Sequence, residues 1–239
     1  NEKKKFWNNG LTVQTDVAFS AKDFYMSAQL ADLKGLMPKD QNKRNSLRIN
    51  TTKEYGNFKA TLNLNYVQSN YNVVNNAAYA GRFASSYNGS VYFTVLNTPM
   101  HVPLTTYKDI KNNKYAQYSN YYNEYFVNPY WAIEAHRSKG RTDNLLGALE
   151  LNYNFFEWLQ ATYRVGTSFT YGTFKNENQP IETTQFAQDH RGQQFDAAPG
   201  SMADGSDFAS RITHEFFLNG RKELPSDFTV NYIVGGRYR

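Results

Sequence analysis

The chain has 239 residues, 26 basic and 21 acidic side chains, a formal net charge of +5, a mean hydropathy of −0.70 and no cysteine. Without cysteine there are no disulfides and no thiol chemistry, and no window approaches the roughly 18 consecutive apolar residues of a membrane-spanning helix. Apart from Lys3 to Lys5 the basic residues are scattered, so no stripe marks a nucleic-acid surface. Aromatics make up 16% of the chain, mostly Tyr and Phe; that richness beside low hydropathy fits a wall of which only alternate residues touch lipid.

The opening residues, NEKKKFWNNG, lack the apolar core of a secretory leader. The closing residues, IVGGRYR, stop inside a strand, so the expectation is a segment of a longer chain. A first strand is predicted at about Leu11 to Phe19, where Leu11, Val13, Val17 and Phe19 alternate with Thr12, Gln14 and Asp16. After a turn at Ser20 to Lys22 a second strand runs from about Asp23 to Leu33, followed by the loop KGLMPKDQNKR with Gly35 and Pro38 as breakers. Strand three spans about Ser46 to Lys53, EYGN (Glu54 to Asn57) is a tight turn, and strand four runs from Phe58 to about Tyr71. A connection of residues 72–142 follows, far longer than the usual loop of about five residues.

The most regular stretch is Asp143 to Tyr171, which reads as one long hairpin closed by NFFE. Leu145, Gly147, Leu149, Leu151 and Tyr153 share one face of its first arm; Leu159, Ala161, Tyr163, Val165, Phe169 and Tyr171 share one face of the second. The other face carries Glu150, Asn152, Gln160 and Arg164 deep within the arms and needs water. Arms of about ten residues, at about 3.3 Å each and tilted by about 45°, match the roughly 25 Å apolar band of an outer-membrane barrel. A second long connection covers about 172–209; strands seven and eight are expected at about Ser210 to Asn219 and Phe228 to Gly236.

The connections one to two, three to four, five to six and seven to eight are thus short, and the other three are long. In an up-and-down meander this puts all short turns at one rim and all long loops at the other, as in outer-membrane barrels with periplasmic turns and extracellular loops. The predicted fold is therefore all-β, an antiparallel up-and-down transmembrane barrel with about eight strands in this chain. A closed eight-stranded barrel with an adhesin or structural role, and a soluble carbohydrate-binding β-sandwich, are the alternatives.

Glu150 and Arg164 point to the polar face and read as a lumenal ion pair on a diagonal of the hairpin, holding barrel shape. The run KYAQYSNYYNEYFVNPYW offers Tyr118, Tyr121, Tyr122 and Tyr125 as rings on which substrate can stack, the competing role being loop packing. His101, His136, His190 and His214 are dispersed without metal-ligand spacing, and DGSD (Asp204 to Asp207) reads as a solvated loop. No nucleophile elbow, P-loop or dinucleotide fingerprint is present. The reading is of a non-enzyme with no cofactor, no metal and no nucleic-acid partner.

Several stretches resemble the SusC/RagA-type TonB-dependent transporters of Bacteroidetes outer membranes. Gly10, Tyr25, Ser27, Gly35, Pro38, Arg44, Arg48 and Asn50 resemble that family's hairpin ending in G-x-x-P and R-x-x-x-R-x-N. Leu96 to Asp109, LNTPMHVPLTTYKD, is similar to its TP-x-x-x-PL segment, and NPYW (Asn128 to Trp131) followed by the long hairpin is the most specific match. The resemblance implies a multi-pass barrel of about 22 strands in the cell outer membrane, a plug domain absent here, and a SusD-like surface lipoprotein as partner. It further implies TonB-driven import of glycans or oligopeptides, with TonB acting through a part of the chain not present here.

Overall fold

Because an extended strand sends successive side chains to opposite faces, alternating sequence yields a two-faced sheet. In a computed structural model the chain forms one such sheet of eight antiparallel strands, each paired only with its sequence neighbours. They are β1 (Leu11–Ala21), β2 (Phe24–Lys34), β3 (Gln41–Tyr55), β4 (Phe58–Val74), β5 (His136–Phe156), β6 (Leu159–Asn178), β7 (Ser201–Leu224) and β8 (Phe228–Tyr238). The structure describes residues 2–75, 91–122, 127–180, 182, 185, 189, 199–225 and 228–239.

The registers carry one apolar field across the strands. Ile49 faces Leu64, Leu62 faces Leu149, Leu149 faces Val165, Leu151 faces Tyr163 and Tyr163 faces Phe216. This face has no second layer among the described residues, which leaves Val17 66% and Phe208 62% exposed. A β-sandwich would bury those side chains against a second sheet, so the sandwich alternative is wrong. The closed eight-stranded barrel is also excluded, because β1 and β8 are the two edges of the sheet and do not pair with each other.

Loop lengths sort by parity, with one correction. At one rim the strands turn through residues 22–23, 56–57 and 157–158, and β7 reaches β8 through residues 225–227. Gly56 takes a φ of +57°, which only glycine adopts without strain. At the other rim β4–β5 and β6–β7 are joined by residues 75–135 and 179–200, but the β2–β3 link, expected to be long, is only residues 35–40.

The long loops are also shorter than expected, because residues 72–74 and 136–142, and 172–178 and 201–209, belong to strands. The DGSD motif accordingly lies within β7, with Asp204 opposite Lys175 and Asp207 opposite Gly172, rather than in a loop. β5, β6 and β7 reach 21, 20 and 24 residues. At about 3.3 Å per residue and a tilt of about 45°, strands of this length rise almost 50 Å, twice the roughly 25 Å band that lipid covers. Beyond the apolar field the outer face accordingly becomes ionic: Lys139 and Lys175 both bond Glu177, each at 2.7 Å.

Above the long-connection rim lies the one hydrophobic core of the described residues. It gathers α2 (Val91–Asn97) and α3 (Pro129–Ala135), both from the β4–β5 connection, and α1 (Glu2–Phe6), which precedes β1. Phe6 packs edge-on against Tyr130 with centroids 4.9 Å apart, among Val91, Val95, Leu104 and Ile133. We call this unit the cap.

The two faces differ in what they tolerate. Leu149→Arg, at mid-field on the apolar face, is expected to destabilise the barrel of the full-length chain in bilayers by about 2–4 kcal/mol. Asn144→Arg, on the opposite face of the same strand, is expected to be nearly neutral. Urea titration of the folded, heat-modifiable form measures both; equal losses would mean that the apolar face does not meet lipid.

Candidate functional site

On the polar face, rungs of aligned residues cross the sheet. One rung reads Thr61, Glu150, Arg164, Glu215, Arg237 from β4 to β8, so four alternating charges stand side by side. Arg164 Nη2 lies 2.6 Å from Glu150 Oε2 and Nη1 3.1 Å from Glu215 Oε2, while Arg237 Nε donates to Glu215 Oε1 at 2.6 Å. Glu150 faces Arg164 directly rather than diagonally, because Tyr153 pairs with Ala161 and the irregularity between Asn154 and Phe156 takes up the offset near the turn. Glu215 and Arg237 were not expected: they come from strands outside the hairpin, and only the β6–β7 and β7–β8 registers bring them in.

Two rungs toward the long-connection end, the face opens into a concavity of about 570 Å³. The nearer rung contributes Asn50, Asn63, Ala148, Gly166 and Thr213; the farther contributes Arg48, Asn65, Leu146, Ser168 and Arg211. Ala148 and Gly166 make its floor, since neither carries a side chain beyond Cβ. Nothing stands within 4 Å of where a Cβ on Gly166 would be. The walls carry amide, hydroxyl and guanidinium groups together with the apolar side chains of Leu64 and Leu146, and no carboxylate.

The cap holds the tyrosines. Tyr118 and Tyr121 are 5% and 1% exposed, so their rings are core material rather than a displayed platform. Tyr118 stacks obliquely on Trp131 at 5.0 Å, and Tyr121 meets Tyr107 edge-on at 5.0 Å. Burial pushes the Tyr121 hydroxyl well above the ordinary phenol range, keeping it a neutral donor. Tyr122, 41% exposed, is the one displayed ring of the set, and Tyr125 lies outside the described residues.

Asn128 ties the cap together. Its Oδ1 accepts from Tyr130 N at 3.0 Å, capping α3 ahead of Pro129, while Nδ2 donates to Tyr107 O at 2.8 Å and Ala116 O at 2.6 Å. At the cap's base Arg137 is buried and donates to Asn72 Oδ1, Asn72 O, Lys39 O, Ile133 O and Asp40 Oδ1. It thus joins the β2–β3 link, β4 and α3. Burial raises the Asp40 carboxyl above the usual aspartate range, opposed by the Val74 N–H and the Arg137 charge.

Beside α3 a hollow of about 420 Å³ is lined by Lys111, Gln117, Tyr118, Trp131, Glu134 and Gln179, with Ile110, Pro180 and Glu182 completing it. The described histidines are apart: His101 is exposed, His136 accompanies Asn178 and His214 bonds Tyr163. His190 lies outside the described residues. Among the described residues no three His, Cys, Asp or Glu side chains converge for a metal.

Two outcomes follow from these contacts. Arg164→Gln leaves Glu150 and Glu215 facing each other across β6; with side chains 43%, 32% and 16% exposed for Arg164, Glu150 and Glu215, the loss is expected to be about 1–2 kcal/mol. Adding Glu150→Gln should recover part of it in the same urea titration, whereas an additive double variant would refute the coupling. Asn128→Ala removes the α3 cap and orphans two carbonyls, an expected loss of about 3 kcal/mol from the cap alone. Amide exchange should rise across 91–135 and stay unchanged in β5–β7.

No protein-family model matches the chain, and no curated protein matches it. Among solved structures it is similar to the RagAB peptide transporter, with TM-score 0.71 at 17% identity over 99% of this chain. It is also similar to the RagAB peptide importer in its open-open state, with TM-score 0.70 at 16% identity over 99% of this chain, and in its closed-closed state, with 0.65 at 14% over 98%. In each case the match spans 25% of the other chain. The chain therefore has the fold of part of an outer-membrane β-barrel wall of the RagAB kind, about a quarter of the length of those chains.

Proposed function

We propose that the chain is barrel wall of a TonB-dependent outer-membrane importer of glycans or oligopeptides. One observation carries this reading: a single sheet whose apolar face is uncovered, whose other face is polar, and whose elaborate connections gather at one rim. Such a sheet is stable where oil covers one side and water the other. Its edges β1 and β8 present unpaired backbone groups, each costing several kcal/mol in hydrocarbon, so further strands complete the wall.

The long-connection rim is the extracellular one in this reading. The cap with Tyr122 and the hollow beside Trp131 then form the outer mouth, where cargo meets the protein and a SusD-like lipoprotein closes over it. The Glu150–Arg164 rung lines the lumen and holds the wall's shape. In this reading TonB acts through a plug outside the described residues. The solved structures of like fold are described as those of a peptide importer, and we take peptide ahead of glycan as the cargo to test.

The test uses the full-length gene in its native host. Its deletion should abolish uptake of either a labelled peptide mixture or a labelled glycan mixture, and affinity-tagged protein should bring down a surface lipoprotein. Replacing Tyr122, the displayed ring, and Tyr125 by alanine together, with the buried Tyr118 and Tyr121 left in place, should lower uptake by about tenfold. Undiminished uptake in a double variant that still reaches the surface would remove these tyrosines from the mouth, and unchanged growth and uptake after deletion would sink the importer reading.

A further inference from the structure

We propose that the polar-face concavity between Arg48 and Arg211 is a carboxylate-binding trough for cargo, so that the protein selects acidic oligopeptides. The proposal rests on the importer reading and deepens it by naming a cargo class.

Two pairs of arginines on this face differ in their partners. Arg164 and Arg237 are neutralised by Glu150 and Glu215 in the rung described above. Arg48 and Arg211 have no acidic partner within 4.0 Å among the described residues, yet both line the same concavity, whose lining contains no carboxylate at all. Both side chains are exposed to that space. Two full positive charges therefore stand at the ends of a trough whose other polar groups are the amides of Asn50, Asn63 and Asn65 and the hydroxyls of Thr167, Ser168 and Thr213, with the exposed Leu146 midway between the arginines.

Guanidinium is the group best matched to a carboxylate, offering two parallel N–H donors in one plane. The register puts Arg48 and Arg211 on one rung, four strand intervals apart. At about 4.8 Å per interval that is about 19 Å along the wall, which an extended peptide advancing about 3.3 Å per residue crosses in about six residues. A single small anion cannot satisfy both arginines. A peptide with acidic side chains near its two ends can, lying over the low floor of Ala148 and Gly166 beside Leu146 while asparagine side chains meet its backbone.

The measurement is binding and uptake by the full-length transporter with its partner, using three probes. One is a capped hexapeptide with an acidic residue at each end, the second its amide counterpart, and the third a uronic-acid oligosaccharide of equal length. The parent should prefer the acidic peptide over its amide counterpart by about a hundredfold. Arg48→Gln and Arg211→Gln should each cost about tenfold for the acidic probe and leave the amide probe unchanged. Lysine at both positions should restore most of the preference, and Arg44→Gln, on the same face but outside the trough, should change nothing.

Equal binding of acidic and amide peptides by the parent overturns the proposal while leaving import intact. Tighter binding of the uronic-acid probe overturns the peptide assignment. Loss of the folded barrel in the double glutamine variant, with recovery in the double lysine variant and no acidic preference, would assign the arginines to another segment of the same chain packed in the lumen. Failure of the parent to take up any probe would sink the importer reading itself.

Discussion

A sheet one layer thick depends on solvent of opposite character on its two sides. No side chain in β1–β8 is covered by a second sheet, so the apolar field running from Ile49 to Phe216 has nothing of its own to pack against. Backbone ladders hold the strands together, and the surroundings decide whether that arrangement is stable. Hydrocarbon against the apolar field gives it the burial that a soluble protein obtains from its own core. The helices α1, α2 and α3 consequently lie at the rim, beyond the reach of that band, where a conventional core is required.

The cap supplies that core from three distant places in sequence. Phe6 precedes β1, Val91, Val95 and Leu104 come from the first part of the β4–β5 connection, and Tyr130 to Ala135 lead into β5. Phe6, packed edge-on against Tyr130, and Trp7, packed against Tyr92, complete that core from ahead of β1. Arg137 makes the same point with polar groups. Its five acceptors belong to the β2–β3 link, β4 and α3, and removing it would leave Asp40 half-buried without a counter-charge.

Period-two alternation made all eight strands legible, and it failed where physics removes the alternation. β7 begins at Ser201, nine residues before the expected Ser210, and β5 at His136 instead of Asp143. In those outer stretches both faces meet water, so Met202, Asp204 and Lys139 need not alternate in polarity although the backbone ladder continues unbroken. The tyrosine run was visible by composition, but burial of Tyr118 and Tyr121 depends on Trp131 and Tyr107, whose proximity no local pattern encodes. Glu150 and Arg164 were legible as a same-face pair because one hairpin carries both. The concavity was not, since it arises only when the registers set Ala148 of β5 and Gly166 of β6 on the rung beside the one that carries Arg48 of β3 and Arg211 of β7.

The charged rung addresses a problem that alternation leaves open. A one-residue slip of any strand would turn its apolar side chains into water and is strongly opposed. A two-residue slip keeps every side chain on its proper face, so the apolar field does not resist it. Slipping β5 against β6 by two would put Glu150 opposite Thr162 or Gly166, and slipping β7 against β6 would put Arg164 opposite Thr213 or Phe217. Either move breaks the alternation of charge across β5–β8. Partly exposed ion pairs contribute only about 1 kcal/mol each to stability, but here they penalise the very misalignments that hydrophobic patterning permits. In a wall without a core, discrimination between registers is a more valuable contribution than the small stabilisation itself.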